Sequence, residues 1–217
     1  MGGPVLELAC GSGRVLVPIA QAGYITIGLD RDASMLAALQ INLQRSPKST
    51  VYLLLADLAA FRLDTQFPFI LIACNTLSTL QAPVRQATLS CVRRHLSTGG
   101  VFAAKLPNPS VLTSLADESY PEMEEIFTHP LTGNPVEVYS GWEKSESQVI
   151  FKWIYVQKLP DGRYTRLQIE NRQELIALET ILAEFRYAGL LVKQVLGDFN
   201  GSEFGKDSPH LILVASC

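Results

Sequence analysis

The chain has no apolar run of membrane-spanning length. Its longest, such as Val51–Ala56 and Pro68–Cys74, have the length of strands, far short of the roughly 20 residues a spanning helix needs. It has no basic N-terminal stretch leading into an apolar run, so no secretory signal is expected. It has no Cys-x-x-Cys pair. Cys10, Cys74, Cys91 and Cys217 stand far apart, which reads as reduced thiols in a cytoplasmic protein, with neither a disulfide framework nor a metal site. It also lacks an excess of positive charge. Lys and Arg number 18 against 21 Asp and Glu, a net charge of -3, which disfavours a dedicated nucleic-acid binder. Internal repeats, low-complexity segments and linkers are absent too.

What is present is a chain of 217 residues, 47% hydrophobic, enough to bury a core without covalent staples. The first 105 residues alternate two kinds of segment. Apolar runs at Pro4–Leu8, Tyr24–Leu29, Val51–Leu55, Phe67–Cys74 and Val101–Lys105 have strand length. Between them lie segments of helical spacing. Val15, Leu16, Ile19 and Ala20 form the first, which Gly23 stops. Ala33–Gln44 carries Met35, Leu36, Leu39 and Leu43 on one face, and Val84–His95 follows. Strands that are apolar throughout, separated by helices, predict a parallel sheet covered on both faces, a Rossmann-like doubly wound α/β fold. The pattern then changes. Val136–Glu143, Gln148–Lys158 and Arg163–Glu170 are strand-like and joined by turns, the second of them Leu159-Pro160-Asp161-Gly162. An antiparallel β-meander inserted at about residues 119–171 of a single domain is expected. A helix over Gln173–Tyr187 and strands at Leu190–Gly197 and Pro209–Ser216 complete the chain.

Three places carry chemistry. In Glu7-Leu8-Ala9-Cys10-Gly11-Ser12-Gly13-Arg14 a strand runs through a glycine turn straight into a helix, so backbone N–H groups can meet a ligand closely. The third glycine of a dinucleotide fingerprint is missing, because Leu16 stands there. Asp30 ends the second strand, where a carboxylate can accept from two ribose hydroxyls. Asp57 ends the third, where one can accept from an exocyclic amine. Strand-end aspartates are also common helix caps and turn formers. Two at successive strand ends, after a glycine turn, favour a ligand at one rim of the sheet.

Together these segments resemble the successive motifs of class I S-adenosylmethionine-dependent methyltransferases of the small-molecule type. Glu7–Arg14, Gly28-Leu29-Asp30-Arg31-Asp32-Ala33-Ser34-Met35-Leu36 and Ala56-Asp57-Leu58 match the first three. Phe69–Leu77 resembles the fourth and Ser97–Phe102 the turn before the fifth strand. The last two strands resemble the family's terminal hairpin, which implies an antiparallel last strand in a mostly parallel sheet. The resemblance covers nearly the whole chain outside the meander.

It implies S-adenosylmethionine as cofactor. Glu7, Ala9, Cys10 and Gly11 would line its methionine end, with Gly13 allowing the close turn. Asp30 would hold the ribose. Met35 and the stem of Arg31 would pack on the adenine, although Met35 reads equally as helix core. Asp57 and the Leu58 backbone would read the adenine edge, and Cys74 and Asn75 would border the sulfonium. Ala9 replaces a common glycine, which reads as a small change. The family usually has a helical segment before the first motif. Here the first strand begins by about Val5, so a truncated chain or a start assigned too far downstream is expected.

The implied activity is methyl transfer to a small-molecule acceptor by in-line displacement. The acceptor side is expected beyond the fourth and fifth strands, near Asn75–Ser78 and Lys105–Pro109, under the meander. Phe151, Trp153 and Tyr155 share one strand face, walling a pocket or packing on the sheet. No residue declares itself a base; Tyr139, Tyr155 and His129 are candidates. His95 and His210 read as structural, and Cys10 and Cys74 as small pocket residues. A homodimer is compatible with the sequence. An RNA or protein methyltransferase, or a non-catalytic cofactor-binding module, stays open beside the main reading. A nicotinamide dehydrogenase ranks behind them.

Overall fold

In the computed structural model, which describes residues 3–44 and 50–217, apolar strands and short helices alternate from the N-terminus. They are β1 (Val5–Leu8), α1 (Leu16–Gln21), β2 (Thr26–Asp30), α2 (Ala33–Gln44), β3 (Val51–Leu55), β4 (Phe67–Ile72), α3 (Thr76–Thr79), α4 (Ala82–His95), β5 (Leu96–Leu106) and α5 (Pro109–Ser114). Four long strands follow: β6 (Glu118–Thr128), β7 (Pro135–Lys144), β8 (Gln148–Lys158) and β9 (Tyr164–Glu174). The chain closes with α6 (Leu178–Tyr187), β10 (Leu191–Leu196) and β11 (Leu211–Ser216). Contacts divide it into two compact units. One comprises the residues up to Pro109 together with Ile176–Cys217; the other is Ser110–Leu175.

The first unit holds a seven-stranded sheet in the order β10-β11-β5-β4-β1-β2-β3. β3 to β5 pair in parallel through β2, β1 and β4, and β11 runs antiparallel to both neighbours. This is the Rossmann-like, mostly parallel sheet with an antiparallel last strand that the alternation and the family resemblance predicted. All four residues of β1 are buried, as expected for a central strand covered on both faces. The core runs from Leu6, Leu8 and Ile70 through Phe102 to Ile181 and Phe185, and a smaller cluster joins Cys10 and Leu16 to Leu36 and Leu39 under α1 and α2. α4 and α6 are clamped by a buried fork. The Arg85 guanidinium donates to both Glu184 oxygens at 2.6 and 2.7 Å, which offsets the cost of taking either charge out of water.

The second unit holds a four-stranded antiparallel sheet, β6-β7-β8-β9. Sequence reading found three of these strands and missed β6. The expected helix over Gln173–Tyr187 also begins later. Gln173 and Glu174 remain in β9, paired with Val149 and Gln148 of β8, and α6 starts only at Leu178.

Candidate functional site

β1 sits between β2 and β4. The chain therefore leaves β1 on one side, through β2 and β3, and returns on the other through β4. Such a reversal opens a crevice at the carboxyl ends of the strands, and the sequence-predicted residues gather there. Ala9, Cys10, Gly11 and Gly13 follow β1, Asp30 ends β2, Asp57 and Leu58 follow β3, and Cys74 and Asn75 follow β4. The parallel registers align these ends on one rim.

The turn after β1 is tightly determined. Gly13 has φ +88°, and a Cβ there would lie 2.2 Å from a Leu39 methyl, so only glycine fits. Gly11, at φ +52°, has open space where a Cβ would be. Its N–H donates to Asp30 Oδ2 at 2.8 Å. The other oxygen, Oδ1, accepts from the Asp32 N–H at 3.0 Å. Asp30 is thereby fixed in orientation while each oxygen keeps a lone pair for a further donor. Sequence reading gave Asp32 no role. Its carboxylate accepts from the Ser34 and Met35 N–H groups, the N-cap pattern of Asp before a helix. Those bonds and the Ser34 hydroxyl hold the Asp32 carboxyl below the usual carboxylate range. The spacing Asp32-Ala33-Ser34 was the available signal.

Ala9 departs from the expectation of a small change. Its φ is +54°, in the left-handed region that an L-residue with a Cβ enters at a cost. Cys74 and Asn75 are also left-handed, at φ 55° and 63°. Three such residues on one rim are the strain pattern of a functional site.

Glu7 lies in β1 and is 3% exposed. Its Oε2 finds no partner among the described residues. Burial pushes its carboxyl up to about 8, the Leu16 N–H opposes the shift, and the Asp30 charge adds to it. The same burial, with Glu7 and Asp30 nearby, pushes the Cys10 thiol up to about 12, so this thiol stays protonated and fills space. Met35, offered equally as core, is 45% exposed at the start of α2, while Leu36 and Leu39 are buried. Arg31, just before α2, is exposed too. Asp57 is exposed, with Oδ1 accepting from the Ala59 N–H at 2.8 Å, and Leu58 is buried.

Along β4 and β5, up to Cys74, runs a cavity of about 580 Å³ walled by Ile19 of α1, Phe69, Ala103, Ile212 and Phe199, with Arg14, Cys74, Lys105 and His210 on its lining. Lys105 donates to Asn75 Oδ1 at 2.8 Å, and burial lowers its ammonium below the usual lysine range. Sequence reading expected the acceptor side near these residues without finding the Lys105–Asn75 bond. His210 lies one residue ahead of β11, not within a strand. His95 is structural: its Nδ1 is 2.7 Å from the Cys91 carbonyl and its Nε2 accepts from the Leu63 N–H at 2.9 Å.

The base candidates fare poorly. His129 Nδ1 accepts from the Leu131 and Thr132 N–H groups inside a hairpin turn. Tyr139 donates its hydroxyl proton to Glu137, and that bond raises the phenol further above its ordinary range. Tyr155 lines a cavity of the second unit. Among the described residues no group of three or more His, Cys, Asp or Glu side chains could hold a metal ion.

Residues 5–100 match the model of a family described as a methyltransferase domain. A protein of Geobacillus sp. (strain WCH70), a methyltransferase by name, is 22% identical over 218 residues, with 97% of this chain and 83% of that one covered. The crystal structure of an S-adenosylmethionine-dependent methyltransferase from Clostridium acetobutylicum superposes with a TM-score of 0.86 at 16% identity, covering 100% of this chain and 84% of that one. The sugar N-methyltransferase KedS8 from Streptoalloteichus gives 0.79 at 18%, covering 99% and 80%. With the motif order, the strand order and the rim all in agreement, residues 5–100 match a methyltransferase-domain family and the chain has the Rossmann-like fold of solved S-adenosylmethionine-dependent methyltransferases.

Proposed function

We propose that this chain binds S-adenosylmethionine on the rim around β1 and β2 and moves its methyl group to a small-molecule acceptor by in-line displacement. The observation that carries the reading is the buried Glu7 carboxyl, whose Oε2 has no partner among the described residues, beside a turn whose position 13 admits only glycine. An orphaned buried acceptor costs stability unless a ligand supplies a donor, and the ammonium of a methionine group is such a donor.

S-adenosylmethionine carries its methyl already activated on a positive sulfur. The protein's task is then alignment and exclusion of water. Glu7, Ala9, Cys10, Gly11 and Gly13 would line the methionine end. Asp30, pre-oriented by Gly11 and Asp32, would accept from the ribose hydroxyls. The exposed Met35 offers its side chain to an adenine face, with the Arg31 stem beside it. Asp57 and the Leu58 backbone would read the adenine edge. Cys74 and Asn75 would border the methyl, with Lys105 holding the Asn75 amide in place. We assign the acceptor to the 580 Å³ cavity that Cys74 lines. A neutral amine needs no base, so the reading asks nothing of His129 or Tyr139, whose ring nitrogen and hydroxyl are already engaged. The sugar N-methyltransferase of the same fold supports an amine acceptor.

Incubation with S-adenosylmethionine and panels of amino sugars, other small amines and unmodified RNA, followed by S-adenosylhomocysteine release, tests the assignment. Turnover is expected with an amine and not with RNA. Turnover with RNA alone would overturn the small-molecule reading.

A further inference from the structure

The second unit contains a cavity of about 500 Å³ whose lining combines rings and carboxylates: Trp142, Phe151, Trp153 and Tyr155 with Glu124 and Glu125. The rings share a face through the register. Phe151, Trp153 and Tyr155 alternate along β8, and Trp142 lies opposite Phe151 on β7. The Phe151 and Trp153 centroids are 5.9 Å apart and tilted by 31°, and Trp142 is pinned by its Nε1–H, which donates to the Ala116 carbonyl at 3.1 Å.

Two adjacent residues of a regular strand point to opposite faces. Glu124 and Glu125 nevertheless line the same cavity. The β6–β7 register shifts between Met123 and Glu125, so that Met123 pairs with Tyr139 and Glu125 with Val138. Glu124 is the extra residue of this bulge, and bulges re-aim side chains in this way. The Ser140 hydroxyl, on the ring face of β7, donates to Glu124 and holds it there. Aromatic faces and carboxylates share one electrostatic preference, for a cation with an apolar surface.

From this geometry we infer that the cavity is a binding site for an alkylammonium group, an organic cation carrying methyl or methylene groups on nitrogen. It holds such a group without reacting with it, because a protonated or fully substituted nitrogen has no lone pair for methylation. The inference does not depend on the cofactor reading, since every residue belongs to Ser110–Leu175.

The chain has two tryptophans and both line this cavity, so intrinsic tryptophan fluorescence reports on it directly. The probe is choline, titrated at constant ionic strength against its uncharged isostere 3,3-dimethyl-1-butanol. Choline should give a saturable change, with the isostere about tenfold weaker, the factor expected of a partly desolvated cation–π site. Glu124→Gln/Glu125→Gln should weaken choline by about the same factor and leave the isostere unchanged. Phe151→Leu, which spares both reporters, should weaken choline as well. The glutamate variant should keep the wild-type melting temperature, since both side chains are exposed. Equal binding of the two probes would overturn the proposal in favour of a merely apolar groove. A signal that tracks protein concentration would overturn it in favour of a second copy covering the face. The absence of any saturable change with choline would overturn it outright.

Discussion

Glu7 is the residue on which sequence and physics conflict most sharply. A carboxylate in the middle of an apolar strand is costly, and here the carboxyl is buried with one oxygen that finds no partner among the described residues. The consequence is a pH dependence whose sign follows from linkage. The unfolded carboxyl titrates at 4.5 and the folded one at about 8. Between those values the unfolded chain has released a proton that the folded chain retains, so stability falls as pH rises through this window and levels off above it. Glu7→Gln should remove that slope. Urea unfolding at the two ends of the window should show the variant gaining on wild type as pH rises, and a constant difference would contradict the assignment. Residue-level legibility was uneven for a physical reason. The motif spacing located Glu7, Asp30 and Asp57, because strand ends are periodic landmarks. It gave no warning that Ala9 would be left-handed, or that Asp32 would brace Asp30, because these are matters of backbone angle and short-range hydrogen bonding.

At the scale of elements, the turn joining β1 to α1 combines a required glycine with a strained alanine. Gly13 is fixed by its contact with Leu39, whereas nothing but the side chain itself keeps glycine from position 9. Ala9→Gly should relieve the left-handed strain and stabilise the protein by about 1 kcal/mol. Differential scanning calorimetry should show that as a rise of about 2–4 °C, and an unchanged or lower melting temperature would show that the strain is absorbed elsewhere. The parallel strands were legible because they are apolar throughout, and β8 was read to its exact ends. β6 was not, because Glu118–Thr128 is almost wholly exposed, its apolar residues do not alternate, and register shifts interrupt its pairing. The late start of α6 escaped for a related reason. Gln173 and Glu174 suit a helix by propensity, yet cross-strand pairing with β8 keeps them extended, a tertiary preference that local sequence does not express.

At the scale of the molecule, the strand order sets the site. Placing β1 between β2 and β4 brings residues separated by more than 60 positions, Gly11 and Asn75, to neighbouring strand ends. No single motif does this, which is why the individual segments are weak signals and their order is a strong one. The acceptor side lacked any comparable landmark. The cavity proposed for it is lined from the turn into α1, from β4 and β5, and from β11 with the segment before it, pieces that lie far apart along the chain. No helix of the described residues is long and apolar enough to cross a membrane. The central claim is that the rim binds S-adenosylmethionine through Asp30, and calorimetric titration tests it most directly. S-adenosylmethionine and S-adenosylhomocysteine should bind with micromolar affinity and NAD should not. Asp30→Asn, which keeps one acceptor oxygen for the turn, should weaken both by at least about tenfold, the loss expected when charged hydrogen bonds are removed. Failure of the folded protein to bind either ligand, or equal binding by Asp30→Asn, would contradict the account.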